Sequence, residues 1–229
     1  MVGFCLSTAV LVLLCIINGF PVMSFLRLSG NDCMDDADIS NMETVDLPHS
    51  IKGTNLLVER TVSYSGAFVE DLSFDGVTDI MALAVRNTGD QMIAEADIVL
   101  CSNEGRYHFS ATKIPPGKAV LLLELERKNY QDSANFIISC SITEEPNRQE
   151  GQYGILAEQA GLDQLALTNC TNRLRENIQV YYKATATSGA YLLGGVTHCV
   201  RVPALKSGET IYIKPEHFAR YHSQIIQMQ

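Results

Sequence analysis

From Gly53 onward, short runs of alternating apolar and polar residues are separated by turn-forming residues about every ten positions. Alternation puts every second side chain on one face of a pleated strand, so one face can be buried while the other stays wet. The runs predict strands at Leu56–Tyr64, Asp79–Arg86, Ala96–Cys101, Tyr107–Thr112, Ala119–Glu126 and Phe136–Ile142. Further along they predict Ile155–Glu158, Leu165–Thr168, Ile178–Thr185, His198–Val202, Thr210–Ile213 and Gln224–Met228. Helical periodicity is poor; only Pro215–Tyr221, with proline at its start, reads as a helical turn. Many short strands at this spacing specify a sandwich or barrel.

The pattern repeats. Leu83-Ala84-Val85-Arg86-Asn87 recurs 82 positions later as Leu165-Ala166-Leu167-Thr168-Asn169. Ala96, Ile98 and Leu100 match Ile178, Val180 and Tyr182 at the same offset. Gly105-Arg106-Tyr107 matches Gly189-Ala190-Tyr191 at 84, and Ile114–Lys118 matches Leu205–Glu209 at 91. The second copy therefore carries about seven extra residues around Leu192–Cys199. Pro116-Gly117 suits the centre of a type II turn, and Gly208 the equivalent bend. A polar stretch at Glu144–Gly154 marks the junction, so two sandwich units are expected over residues 51–148 and 149–229.

The order apolar-x-apolar-x-Asn, apolar strand, Gly, then apolar-x-x-Gly-Glu/Lys resembles the FxLYD-type, immunoglobulin-like sandwich, a family found mainly in cell-surface and secreted bacterial proteins. Leu165–Lys214 carries the clearest copy and Leu83–Glu124 a looser one. Where that family has an aromatic-x-Leu-Tyr-Asp run, this chain has Ile178-Gln179-Val180-Tyr181-Tyr182-Lys183, without the aspartate. The resemblance implies an all-β fold of two tandem immunoglobulin-like antiparallel β-sandwich units. The whole chain is similar to membrane-anchored proteins of Gram-positive bacteria.

The first 26 residues hold no charged side chain, and Val2–Ile17 is nearly all apolar. Two readings fit residues 1–27. A transmembrane helix would use the whole stretch, which is long enough to cross a bilayer. A cleaved signal peptide would use Ser7–Ile17 as its apolar core and Val22-Met23-Ser24 as its cleavage site. No basic residue precedes the run, and Arg27 follows it. Residues 28–50 read as a flexible acidic linker; Asp32, Asp35, Asp36 and Asp38 lack the spacing of a calcium loop. The β units are expected outside the cytoplasm, tethered to the membrane by a single pass, or secreted if the segment is cleaved.

Charge narrows the partners. Apolar residues make up 46% of the chain and charged ones 19%, as in globular proteins. From Leu28 onward, 26 acidic residues face 16 basic ones, a formal charge of −10 that argues against nucleic acid.

The search for chemistry is thinner. Seven cysteines (Cys5, Cys15, Cys33, Cys101, Cys140, Cys170 and Cys199) show no disulfide or zinc spacing, so buried free thiols are expected. His198 and Cys199 are neighbours, which in a strand point to opposite faces; His108 or His217 would have to serve as a distant partner. His217 and His222 are poorly spaced for a metal. Glu124 and Glu126 are expected on one solvent-facing strand face, with Glu70 and Asp71 also charged neighbours. Pro116-Gly117-Lys118 lacks the upstream glycine of a phosphate loop. Tyr181, Tyr182 and Tyr191 suit either an aromatic platform or cross-strand packing. Asn169-Cys170-Thr171 meets the N-glycosylation pattern.

No residue is therefore assigned a catalytic, cofactor-binding or metal-binding role. The expected function is a non-catalytic extracytoplasmic module for protein or cell-envelope interaction or spacing. The rival is an extracytoplasmic hydrolase with carboxylates on a concave sheet.

Overall fold

The computed structural model describes residues 44–71, 74–103, 105–133, 135–146, 154–186, 189–218 and 223–229. Among them the chain is all β, with no helix. The alternating runs become strands where their period places them. β1 (His49–Ser50) leads into β2 (Leu56–Ala67), β3 (Gly76–Asn87), β4 (Met92–Ser102), β5 (Gly105–Ile114), β6 (Ala119–Leu123) and β7 (Ile137–Glu145). The second half supplies β8 (Ile155–Ala160), β9 (Gln164–Asn169), β10 (Arg175–Thr185), β11 (Leu192–Leu205), β12 (Thr210–Ile213) and β13 (Gln224–Met228).

Each half buries its alternate residues between two three-stranded layers. In the first, β2-β3-β6 and β5-β4-β7 enclose Leu83, Val85, Ile98, Leu100, Phe109 and Leu122. In the second, β8-β9-β12 and β11-β10-β13 enclose Leu165, Leu167, Ile178, Val180 and Leu205. The connectivity is the same, strand for strand. One layer from each half then joins edge to edge, giving a seven-stranded sheet ordered β1-β2-β3-β6-β11-β10-β13. The joint is the one parallel pairing among the described strands, with Leu192 opposite Val120 and Leu193 opposite Leu121. Leu192 enters the first half's core; Leu193 lies in a third apolar cluster with Phe68, Val69, Ile80, Leu123 and Ala184. Residues Glu43–Gln229 cohere as one unit.

The repeat is visible at its corners. Asn87 is wholly buried; its Nδ2 donates to Gln91 O (2.7 Å) and Ile114 O (2.9 Å), and its Oδ1 accepts from Gly89 N (3.0 Å). Asn169 is equally buried and donates to Arg173 O (2.8 Å) and Leu205 O (2.9 Å), accepting from Thr171 N (2.9 Å). Gly117 and Gly208, both with φ of +69°, donate from their amides to the carbonyls of Asn87 and Asn169. A buried asparagine is tolerated because its amide satisfies carbonyls that no strand reaches.

Several expectations are corrected here. β6 stops at Leu123, and Glu124 is fully buried rather than on a solvent face with Glu126. Its Oε1 accepts from His108 N (3.2 Å) and its Oε2 from Lys128 N (2.7 Å), amides left over where the strand ends. Glu126 is exposed and pairs with Lys128. Pro215–Phe218 makes one turn, closed by Phe218 N donating to Pro215 O (3.3 Å); Tyr221 lies outside the described residues. The extra residues around Leu192–Cys199 form the leading part of β11, which is the joint itself. The apolar segment, Cys33 and the acidic cluster at Asp32–Asp38 lie outside the described residues.

Candidate functional site

Ionisable groups converge where the halves meet. The pairing of β10 with β11 slips between Tyr182–His198 and Ala184–Leu193, so Gly194–Thr197 arches opposite Lys183. Lys183 has no solvent exposure; its Nζ donates to Gly195 O (2.6 Å) and Val196 O (3.1 Å), with Gly194 O at 3.5 Å. Two glycines make the arch possible. Gly194 has a φ of +78°, and a Cβ at Gly195 would lie 1.8 Å from Ser110 O. From the first half, Glu70 reaches the same arch: both carboxylate oxygens accept from Gly195 N (2.9 Å each), and Oε1 also accepts from Leu123 N (3.1 Å). Thr197 Oγ1 donates to Thr112 O (2.8 Å), and Thr112 Oγ1 donates to Gly195 O (3.2 Å).

Burial dominates the electrostatics. It lowers Lys183 from 10.5 to about 7, opposed by the charge of Glu70. Burial raises Glu70 above its usual range, opposed by the amides of Gly195 and Leu123 and by Lys183. A lysine that readily loses its proton beside a carboxyl that readily holds one is an acid–base couple in principle. Here every lysine donor direction ends on a backbone carbonyl, and the side chain has no solvent exposure. Glu70 clamps the arch across the joint, and Lys183 fixes the same arch from within its own half.

Around the clamp lies an aromatic group. His198 stacks on Tyr182 at 5.3 Å, His217 sits 5.5 Å from His198, and Phe74 covers His217 at 4.1 Å. Burial, then His217 and Lys183, hold His198 below its ordinary range. His217 has a φ of +62°, and its buried Nε2 has no hydrogen-bond partner, with Glu216 Oε1 3.5 Å away. A second polar seam crosses the joint: Lys113 Nζ donates to Glu145 Oε1 (2.5 Å) and Gln227 Oε1 (2.7 Å) and lies 4.5 Å over the Tyr181 ring.

The residues singled out in the sequence fall as follows. Cys199 is exposed opposite Tyr181, on the strand face away from His198, and Cys170 is exposed too; Cys101 and Cys140 are half-buried. Burial is thus corrected for Cys170, which sits just past β9, and for Cys199, at an outward position of β11. His217 meets His198, not Cys199. Glu70 turns inward while Asp71 pairs with Arg127 (2.6 Å). Tyr182 is core, Tyr181 lies under Lys113, and Tyr191 donates to Glu59 Oε2 (3.0 Å). Asn169 is spent on its corner, with no exposure for a glycan. Among the described residues, no three His, Cys, Asp or Glu side chains are placed to hold a metal ion. An open groove is lined by Gly53, Thr54, Asn55, Ile142 and Glu144. Sequence reasoning missed Lys183. Its signal was a lysine inside the apolar run Ile178–Thr185, followed by Gly194-Gly195 in the extra segment.

No family model matches the chain, and no curated protein matches it significantly. Among solved structures it is similar to Bacteroides uniformis beta-glucuronidase 2, as a calcium-binding mutant (12% identity, TM-score 0.16) and covalently bound to cyclophellitol-6-carboxylate aziridine (11%, 0.16). Each match covers 82% of this chain and 28% of the other, so the chain spans less than a third of those proteins. At that TM-score neither fold nor activity carries over.

Proposed function

We propose that the chain is a non-catalytic, extracytoplasmic interaction module: two immunoglobulin-like sandwiches, tethered through Val2–Leu26, that engage another protein or a cell-envelope polymer or space one from the membrane. One observation carries the reading. The group best suited to proton chemistry, Lys183, is wholly buried and donates to three carbonyls of the arch that Glu70 grips from the first half. The apolar leader and the short charged linker that follows it support the extracytoplasmic placement. The test combines location and activity. A membrane-impermeant thiol reagent applied to intact cells should label the full chain through Cys33 and the exposed Cys170 and Cys199. The purified full chain should be retained on envelope fractions without releasing soluble sugar or peptide. Labelling only after lysis overturns the placement; release of product overturns the non-catalytic reading.

A further inference from the structure

In the first half the outer edge of β6 is occupied, because β11 runs along it in parallel. β12 is the counterpart of β6: the offset that carries Gly117 to Gly208 carries Val120 to Ile211. Among the described strands β12 pairs with β9 alone, and its other edge carries no strand. The adjoining sheet face differs in the same way. In the first half Ile80, Ala82 and Leu123 are buried on that face with Phe68, Val69 and Leu193. In the second, Tyr212 is 67% exposed and Leu156 46%. The register Leu156–Thr168–Thr210 puts both on the outward face. Leu162 and Leu174, the other exposed large hydrophobic residues among those described, also belong to this half.

We propose that the free edge of β12 takes up an extended aliphatic segment of a partner protein as an added parallel strand, reproducing the pairing that β11 makes on β6. The proposal rests on the interaction-module reading and names its surface. An unpaired edge beside apolar side chains is a template for strand addition, with backbone hydrogen bonds giving affinity and alternate side chains giving selectivity. The occupied copy defines the ligand chemistry. Leu192 and Leu193 point to opposite faces, one into the core and one into the outer cluster. A segment on β12 therefore brings one aliphatic side chain beside the half-buried Ile211 and Ile213 and the next beside Tyr212. A second copy of this chain is the poorer occupant. Its counterpart of β11 is β5, where His108 N already donates to Glu124 and His108 O accepts from Leu125 N.

The experiment titrates the full chain with a fluorescent synthetic peptide copying residues 190–197, the strand that occupies the first edge. Saturable binding is expected, with the amides of Thr210–Ile213 newly protected from hydrogen exchange. Tyr212→Lys, at an exposed position, should weaken binding at least tenfold with an unchanged melting temperature. Absence of saturable binding, protection at a different edge, or indifference to Tyr212→Lys overturns the proposal. Retention on envelope fractions that survives Tyr212→Lys overturns this edge as the surface and leaves the module reading standing.

Discussion

Asn87 and Asn169, 82 residues apart, make the same three side-chain hydrogen bonds to the same places in their halves. Each closes the corner between two strands, and each has its own amide and carbonyl engaged by the following glycine turn. The matching bonds show that the repeat is one of structure, because alternation alone would not require a buried amide at the same corner twice.

Replacing either asparagine with alanine removes the partner of one buried carbonyl, Ile114 O or Leu205 O, and of one half-buried carbonyl and amide, the buried group alone costing about 1–3 kcal/mol. We expect both variants to lose about 3 kcal/mol or more in urea unfolding. Asp at either position should be no better, since a carboxylate cannot donate to the carbonyls of Ile114 or Leu205.

The turns make a matched pair of tests. Gly117→Val and Gly208→Val each place a β-branched residue at a φ of +69°. A cost on the order of 1–2 kcal/mol is expected in each case, seen as a lowered denaturation midpoint.

Gly195→Ala should act differently, through a collision. Its Cβ would meet the backbone oxygen of Ser110, which no side-chain rotation relieves. The expected loss is at least about 2 kcal/mol, with hydrogen-exchange protection falling first at Leu192 and Leu193. Uniform loss across the first half would argue against a joint-specific effect.

Lys183 predicts a pH profile. Its folded pKa of about 7 lies below its ordinary 10.5, so between those values the unfolded chain binds the extra proton. Stability from this group is full above 10.5 and is lost as pH falls through 7. Glu70 acts in the opposite sense, its raised pKa making stability fall as pH climbs above 4.5. Denaturant unfolding from pH 7 to 10 should show a rise on the order of a few kcal/mol from Lys183, absent in Lys183→Met.

Cleavage within Glu144–Gly154 should leave the fragments together. The β6–β11 pairing, the Glu70–Gly195 bonds and the Lys113–Gln227 bond all cross between the halves. Gel filtration after limited proteolysis should give one native peak that separates only in denaturant. Fragments that part without denaturant would show the halves to be independent.

Strand positions were legible because alternation is a local property, and all twelve predicted runs lie within or overlap strands of the structure. The glycine turns were legible at Gly117 and Gly208, and the repeat marked Asn87 and Asn169 but not their burial. The joint was not, since the partner of a strand edge is set by distant residues; Leu192-Leu193 carries no local mark of pairing with Val120-Leu121. Glu124 was misread because strand alternation was carried past Leu123, where the chain turns. Lys183 hid as an ordinary polar position. Its burial depends on an arch that only the two glycines allow.

The joint also has a consequence for the order of synthesis. Once the nascent chain has emerged from the ribosome through Glu145, every strand of the first half is free, yet that half is not closed. The edge of β6 is bare, Leu192 is missing from the core, and Glu70 has no Gly195 amide to receive. The nascent domain must wait for nearly fifty further residues with an open sheet edge, a state prone to mispairing with neighbouring chains. Folding of the first half is thus expected to finish with the second, in a late step governed by long-range pairing rather than by local strand formation.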